Sequence, residues 1–403
     1  MEKNSQSKNT NKRLGNVFFI GLLSFFGGIS QDIFVPILPL YLTTVLHLDK
    51  SIIGLSEGLV DSVSSIIKII TGYLSDKFRS NKLLIGIGYG LSMISRPLLA
   101  LVSGGTAVIG LRFIDGVGKG IKDSPKDVLI AATTNVKNRG RGFGIARMLD
   151  TMGSVAGPLI LFLMLYFLRN NSLKYHYILF ASAIPLFFTL AILRYKVVEA
   201  SAEKSFTPLT LAPGLPKTFY WFLAIVIIFS LGSSSDAFLI LRAQSIGLSL
   251  LEIPLAFALF NLSYALAAIP LGSLSDKIGR ESVIIIGWAV YTLAYIGFGL
   301  ANQNYQVWIL FIFYGLYYAT TEGAAKALVA DMVPASHRGR AYGIFNTLVG
   351  VMMLPASMIA GLLWDKFGPA VPFYFGALAA CIGTILLTIF IFLKKHQNTP
   401  VFE

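Results

Sequence analysis

The chain has 403 residues, of which 55% are hydrophobic and 13% are charged, and its mean hydropathy is +0.70. Soluble domains carry about twice that charged fraction, so the composition excludes an ordinary soluble enzyme. The net charge is +13. Because these basic residues lie in an apolar chain, we expect a membrane protein and no nucleic-acid partner. Cys381 is the single cysteine, which excludes a disulfide framework and a cysteine-based metal site.

Apolar segments between charged or Pro/Gly-rich breaks predict twelve transmembrane helices, because about 20 residues are enough to cross the hydrocarbon. In chain order, the predicted spans are 14–46, 51–75, 83–103, 106–134, 142–168, 174–195, 219–247, 251–274, 282–301, 305–332, 341–363 and 370–393. The expected fold class is therefore an all-α integral membrane protein. The segment that precedes the first span is polar, and we expect it to be retained because no cleavage site follows it.

The distribution of basic residues predicts the orientation of the spans. About 20 of the 33 Lys and Arg fall on the side of the membrane that contains the N-terminus, about 4 fall on the opposite side and about 9 lie inside the spans. By the positive-inside rule both termini are cytoplasmic, and we expect the chain to lie in a bacterial inner membrane. The predicted domains are a cytoplasmic tail 1–13, a six-helix bundle 14–195, a Pro-punctuated cytoplasmic linker 196–217, a second six-helix bundle 218–394 and a tail 395–403.

An internal repeat supports two halves of parallel orientation. Gly72-Tyr-Leu-Ser-Asp76-Lys77 recurs as Gly272-Ser-Leu-Ser-Asp276-Lys277, about 200 residues later. Arg139-Gly-Arg-Gly-Phe-Gly recurs at nearly the same offset as Arg338-Gly-Arg-Ala-Tyr-Gly, and Ser30-Gln-Asp32 is similar to Ser234-Ser-Asp236. Three agreeing registers predict two pseudo-symmetric six-helix bundles, an organisation typical of duplicated transporters.

The repeated loop resembles the signature G-x-L-x-D-K/R-x-G-R/K of the major facilitator superfamily. The second copy matches throughout, including Gly279 and Arg280, whereas the first has Phe78 and Arg79 where the pattern requires a glycine. The resemblance implies a twelve-helix transporter with no enzymatic activity. It also implies that these loop residues control conformation, the aspartate by capping a neighbouring helix end: Gly72, Asp76, Lys77, Gly272, Asp276, Lys277 and Arg280.

A second resemblance concerns the fifth predicted span. Gly153-Ser-Val-Ala-Gly157-Pro158 is similar to the G-x-x-x-G-P core of the superfamily's antiporter signature, although the usual flanking glycines are incomplete. The similarity implies a gating role for these three residues and export against protons. Gly and Pro are also common in membrane helices that lack such a role, so import stays open as an alternative.

Charged residues inside the spans form the candidate pathway for substrate and protons. Charges exposed to lipid are expensive, so we expect these side chains to face one another or water. The candidates are Asp32, Glu57, Asp61, Lys68, Arg112, Asp115, Lys119, Arg147, Asp150, Asp236, Glu322 and Lys326. Pairs spaced i,i+3 or i,i+4, such as Arg112 and Asp115, could instead be structural ties.

The charged residues of the candidate pathway are more numerous in the first half of the chain. Asp61 and Lys68 have Asn261 and Ala268 at the corresponding positions of the repeat, so we expect the first half to carry the ion chemistry. Asp32 and Asp236 follow small polar runs and are proton-site candidates, or else carboxylates bonded to neighbouring hydroxyls. Six aromatic residues could line an amphipathic pocket, although packing is the commoner role for such residues: Phe25, Phe26, Tyr264, Tyr314, Tyr317 and Tyr318.

The expected function is a secondary transporter that moves a small organic solute such as a drug, metabolite or siderophore-like compound by alternating access. We expect proton-coupled export, with proton-coupled uptake and metal or metal-chelate transport as alternatives. A receptor or assembly protein that does not transport is the alternative of another class. We expect no metal site and no cofactor, a proton gradient as the energy source, and partners limited to a small-molecule substrate and the lipid bilayer, with the protein as a monomer.

Overall fold

The computed structural model describes residues 2–78, 80–134, 139–199, 214–334 and 337–397, without the side chains of residues 2–14, 73–78, 139 and 394–397. These ranges contain helices and connecting turns and no strand. The helices are α1 (Glu2–Thr44), α2 (Lys50–Phe78), α3 (Asn81–Leu98), α4 (Gly105–Thr133), α5 (Arg139–Phe167), α6 (Lys174–Ala181), α7 (Ile184–Tyr195), α8 (Lys217–Gly232), α9 (Ala237–Ile246), α10 (Glu252–Ile278), α11 (Arg280–Leu300), α12 (Asn304–Met332), α13 (Arg338–Phe367) and α14 (Val371–Gln397). The predicted all-α fold is confirmed.

Among the described residues, nine helical segments are long and apolar enough to cross a membrane. Helices α2, α4 and α12 have 29 residues each, or about 43 Å, and also reach across by length. Their composition explains why they stand apart, since α2 and α4 are rich in charges and α12 in tyrosines. Together these segments account for the twelve predicted spans.

Two spans contain a break, and the first helix is longer than its predicted span. Helix α1 begins at Glu2, so the predicted tail continues the helix of the first span. Turn residues separate α6 from α7 in the sixth span. In the seventh span the helix stops at Gly232 and resumes at Ala237, which leaves a short polar run outside the helical hydrogen-bond pattern. Most of the predicted linker, residues 200–213, and the last six residues of the predicted tail, 398–403, lie outside the described residues.

The chain folds as two compact units. Unit 1 comprises Met1–His47 and Leu59–Thr210. Within it α1 and α5 pack through glycines: a Cβ added at Gly28 would lie 3.1 Å from the carbonyl oxygen of Asp150, and one at Gly153 would overlap the carbonyl of Phe25. Small residues permit such close approach of membrane helices.

Unit 2 comprises Leu48–Gly58 and Leu211–Glu403. It therefore includes the first turns of α2, which pack against α13. A Cβ added at Gly58 would lie 2.7 Å from the Cα of Leu354. The carboxylate of Asp365 accepts hydrogen bonds from the backbone N–H groups of Lys50 and Ser51, at 3.0 and 2.8 Å, and so caps the start of α2.

The two copies of the repeated loop make their corners differently. In the second copy Gly279 adopts φ +91°, and Arg280 donates to the Ala327 carbonyl at 2.8 Å and pairs with Asp331 at 2.7 Å. In the first copy, which lacks that glycine, Glu199 accepts hydrogen bonds from the backbone N–H groups of Asn81 and Lys82, at 3.1 and 2.9 Å. A carboxylate from the chain after α7 thus caps α3.

Candidate functional site

The centre of unit 1 contains a buried cluster of three charges from α3 and α4. Arg112 Nη1 lies 2.9 Å from Asp115 Oδ2, and Arg96 Nε lies 3.5 Å from Asp115 Oδ1. The exposed fractions of these side chains are only 2% for each arginine and 4% for the aspartate. Because a buried ion pair that loses one partner leaves an uncompensated charge, this cluster ties α3 to α4.

The same cluster reaches α1. Arg96 donates to the Ser30 hydroxyl at 2.7 Å and to the side-chain oxygen of Gln31. Both guanidinium groups lie over the ring of Phe34, Arg96 at 5.0 Å and Arg112 at 5.2 Å from its centroid. A ring face attracts cations, so one aromatic side chain serves both arginines. The arrangement connects α1, α3 and α4 at the level of the charged group.

Two further ion pairs connect α2 and α4, and these are partly exposed. Asp61 and Lys119 lie 2.8 Å apart, and Lys68 and Asp123 also lie 2.8 Å apart. Their exposed fractions range from 28% to 39%. A charge cannot be exposed to hydrocarbon at low cost, so we infer that this exposed surface faces an aqueous space. Within the described part of unit 1, both pairs join α2 to α4 through partly exposed charges.

Further charges of unit 1 lie along α4 and α5. The ammonium of Lys122 lies 4.6 Å from the centroid of the buried Tyr89 ring. On α5, Arg147 Nη1 and Asp150 Oδ2 are 3.5 Å apart, a long and exposed i,i+3 contact. Such exposed pairs contribute little to stability. They therefore differ from the buried Arg96, Arg112 and Asp115 group.

Asp32 lies where α1 meets α5 and is 9% exposed. A Cβ added at Gly157 would lie 2.8 Å from the Cβ of Asp32 and 2.9 Å from the Ile29 carbonyl oxygen. Gly157 thus lets α5 contact α1 directly beside the carboxylate. Pro158 follows it and is buried inside α5.

Unit 2 places Asp236 at the break between α8 and α9. The Tyr314 hydroxyl donates to Asp236 Oδ1 at 2.7 Å, and the Tyr291 hydroxyl donates to the carbonyl of Gly232 at 2.9 Å. The Ser357 hydroxyl oxygen accepts from the N–H of Ser235 at 3.1 Å. Side chains from α11, α12 and α13 therefore bind the polar groups of the break, as irregular backbone inside a membrane requires.

Glu322 on α12 belongs to a tyrosine-rich region of unit 2. It accepts a hydrogen bond from the Tyr264 hydroxyl at 2.6 Å and pairs with Lys326 at 3.1 Å. Neighbouring ring centroids in this region lie between 4.0 and 6.3 Å apart. The six tyrosines, called the tyrosine cluster below, are Tyr264, Tyr291, Tyr295, Tyr314, Tyr317 and Tyr318.

The structure brings some of the predicted pathway residues together and separates others. Asp61, Lys68 and Lys119 take part in the ion pairs between α2 and α4, whereas Arg112 and Asp115 belong to the buried cluster with Arg96 of α3. The i,i+4 pairing that the spacing of α4 offers between Asp115 and Lys119 is replaced by the pair across helices, Asp61 with Lys119. Glu57, on the same predicted stripe of α2, belongs to unit 2 instead.

The predicted conformational residues occupy varied surroundings. A Cβ added at Gly72 would lie 3.5 Å from Ser124 Oγ, whereas one added at Gly272 meets nothing within 4 Å. Asp276 and Lys277 are exposed at the end of α10. The side chains of Asp76 and Lys77 lie outside the described residues.

Sequence reasoning missed Arg96 and the tyrosine cluster as parts of the site. Arg96 is a charge inside a span, which is a signal of function or pairing, but its partners come from two other helices. Four of the six tyrosines are candidate pocket residues by sequence, but packing is the commoner role for such side chains. Their bonds to Asp236 and Glu322 appear only in the fold.

Comparisons with known proteins agree with this architecture. The profile of the Major Facilitator Superfamily matches residues 20–241 and 220–401. An uncharacterized MFS-type transporter of Methanocaldococcus jannaschii is 36% identical over 397 residues, covering 96% of this chain and 98% of the relative. A proton-coupled antiporter flippase LtaA of Staphylococcus haemolyticus is 23% identical over 351 residues, covering 84% of each chain.

Solved structures show the same fold at low sequence identity. The nucleoside transporter NupG matches with a TM-score of 0.74 at 16% identity, over 94% of this chain and 99% of that one. A D-xylose-proton symporter matches with a TM-score of 0.74 at 16% identity, over 93% of this chain and 97% of that one. With a family profile over nearly the whole length and a relative at 36% identity, the chain belongs to the major facilitator superfamily of membrane transporters.

Proposed function

We propose that the protein is a proton-coupled exporter of a small organic solute that works by alternating access. The observation that carries the proposal is the set of partly exposed ion pairs between α2 and α4, Asp61 with Lys119 and Lys68 with Asp123. When a carboxylate takes up a proton, its pair loses the attraction between opposite charges. A proton can therefore change how α2 and α4 hold together, which links protonation to conformation.

Three further features support coupling and direction. The staphylococcal relatives are described as proton-coupled antiporters, and they align over most of this chain. Gly153, Gly157 and Pro158 match the core of the antiporter signature, and the two glycines pack closely against α1, Gly157 directly beside Asp32. The remaining pathway candidates, Arg147, Asp150, Asp236, Glu322 and Lys326, all lie inside spans and are partly or fully exposed.

In the proposed organisation, two six-helix bundles, 14–195 and 218–394, are joined by the linker 196–217, and the termini are cytoplasmic in a bacterial inner membrane. Loop residues from Gly72 to Lys77 and from Gly272 to Arg280 control the change of state. The protein acts as a monomer, needs no cofactor and draws its energy from the proton gradient.

Proteoliposomes with an entrapped pH dye test this proposal. A thermal-shift screen of solutes on purified protein first finds a ligand, and its flux is then measured under an imposed pH gradient. We expect the solute and protons to move in opposite directions, and we expect Asp61→Asn to uncouple them. Asp127→Asn, which removes an exposed carboxylate from the neighbouring helix α4, is the matched control and should keep coupled flux. Movement of solute and protons in the same direction would contradict export, and binding without flux would contradict transport.

A further inference from the structure

Unit 2 contains a row of three rings with a carboxylate at each end. Tyr314, which bonds to Asp236, has its ring centroid 5.3 Å from that of Tyr318. Tyr318 lies 6.2 Å from Tyr264, which in turn bonds to Glu322. The helices α10 and α12 supply all three rings, and the break between α8 and α9 supplies Asp236.

The row has an open side. Tyr318, Tyr264, Asp236 and Glu322 are partly exposed, whereas Tyr314 of the row and its ring neighbours Tyr291 and Tyr295 are buried. Because carboxylates exposed to hydrocarbon are costly, the open side faces water rather than lipid. Buried tyrosines behind the row fix its geometry, with Tyr291 and Tyr295 stacked at 4.0 Å. The result is a fixed aromatic wall beside two acidic groups.

The two carboxylates differ in what surrounds them. Glu322 already pairs with the Lys326 ammonium at 3.1 Å, so a second cation there would meet a like charge. Asp236 accepts a hydrogen bond from the Tyr314 hydroxyl, and the ring centroid of Tyr318 lies 5.3 Å from that of Tyr314. A carboxylate and aromatic ring faces thus lie side by side at this end of the row, and together they attract a cation that carries apolar surface.

We infer that this part of unit 2, formed by Asp236, Tyr314, Tyr318, Tyr264 and Glu322, is a binding subsite for an aromatic or amphipathic organic cation. The cationic group lies against Asp236, and the apolar body stacks on Tyr318 and Tyr264. The inference deepens the proposed function, since it names the chemical class of the solute and rests on transport only for its physiological meaning.

Equilibrium binding to the full-length protein in nanodiscs tests the subsite. The probe is tritiated tetraphenylphosphonium, and its control is tetraphenylborate, an anion of nearly the same size and shape. We expect saturable binding of the cation above that of empty nanodiscs, with little competition from the anion. Tyr318→Leu, which removes the ring face, should weaken binding about tenfold, whereas Tyr318→Phe should stay within about threefold. Asp236→Asn should also weaken binding by about tenfold or more.

Two controls separate the subsite from general damage. Tyr305→Leu removes an exposed tyrosine of the same helix outside the cluster and should leave binding unchanged. Each variant is also checked for an unchanged elution profile and unfolding midpoint. Equal binding of cation and anion, or unchanged cation binding in Tyr318→Leu and Asp236→Asn, would overturn the inference. Saturable binding of a neutral sugar that Tyr318→Leu weakens, with no binding of the cation, would overturn it as well, in favour of a polyhydroxylated solute.

The binding and flux experiments distinguish a failure of the cation subsite from a failure of the proposed export function. Cation binding without proton-coupled flux would sustain the subsite and refute the exporter. Proton-coupled flux of another solute, with no cation binding, would refute the subsite and sustain the exporter.

Discussion

Helices α4 and α12 occupy corresponding positions in the two repeats, yet they carry different polar chemistry. The offset that relates Arg139 to Arg338 places Tyr314 opposite Asp115 and Tyr318 opposite Lys119. In unit 1 these positions form ion pairs with neighbouring helices, and in unit 2 they form hydrogen bonds and ring contacts. The corresponding positions of α4 and α12 therefore hold charged pairs in unit 1 and uncharged, hydrogen-bonding rings in unit 2.

The helices that carry Asp32 and Asp236 also differ between the two units, in their continuity. Helix α1 is continuous through Asp32, and Gly157 lets α5 pack closely against it there. The position opposite Gly157 is Ala356, and the chain at Asp236 leaves the helical pattern instead. Of the two carboxylates at corresponding positions of the repeat, Asp32 therefore lies in a closely packed helix and Asp236 lies beside backbone groups that make no helical hydrogen bonds.

The largest expected effect comes from removing the buried charge at the centre of unit 1. Asp115→Asn leaves Arg96 and Arg112 without their carboxylate, and breaking a buried pair of this kind costs about 3–5 kcal/mol. We expect a much lower unfolding midpoint and poor recovery from detergent. Tyr314→Phe at the corresponding position of unit 2 is the control, with an expected loss of about 1 kcal/mol. Equal stability of the two variants would remove the contrast between the units.

Gly157→Ala tests the close packing beside Asp32. The added methyl would lie 2.8 Å from the Asp32 Cβ, and overpacking of this kind costs about 1–3 kcal/mol. Gly272→Ala meets nothing within 4 Å and should be neutral or stabilising. Chemical denaturation in mild detergent compares the two, and a neutral Gly157→Ala would show that the packing of α1 on α5 yields easily to an added methyl group.

The partly exposed pair of Asp61 and Lys119 should show a large effect on activity and a small one on stability. Asp61→Asn should reduce proton-coupled flux by more than about tenfold, while its unfolding free energy falls by no more than about 1 kcal/mol. The exchange of both charges, Asp61→Lys with Lys119→Asp, restores the pair but reverses its direction. Full recovery of flux in the exchanged protein would mean that the pair is a structural tie only.

Tyr291→Phe is expected to have the smallest effect. It removes the hydrogen bond to the Gly232 carbonyl at the break, and interhelical bonds of this kind in membranes average about 0.6 kcal/mol. We expect a small but measurable drop in the unfolding midpoint and no change for Tyr305→Phe. A drop as large as that of Gly157→Ala would indicate that the break depends on this single bond.

Sequence reasoning predicts the spans well because hydrophobic length is a local property. Even α2, α4 and α12, which hydropathy separates least clearly, follow from the repeat and from their flanking charges. The breaks are not predictable from the same signal. Small polar residues alone do not predict a break, because Ser30 and Gln31 at the corresponding positions of α1 are helical. The groups that bind the freed backbone come from Tyr291 and Ser357, far along the chain.

The candidate site is predicted only in part, for a related reason. The charges inside α2 and α4 are visible in the sequence because charged residues in a span are expensive. Which of them pair depends on neighbouring helices, and so helical spacing matches Lys119 with Asp115 on its own helix rather than with Asp61. Arg96 and the tyrosine row depend on contacts among three or four helices, and no periodic pattern records such contacts.

The capped start of α2 has a consequence for building hybrid proteins from this family. Residues 48–58 belong with α13 through the Asp365 cap and through glycines that leave no room for a methyl group. The first half of the chain, cut at the linker, is therefore not a unit that can be exchanged on its own. A chimera that takes its first half from a relative should also take that relative's α13, or keep residues 48–58 of its own, because otherwise the two surfaces have not evolved together.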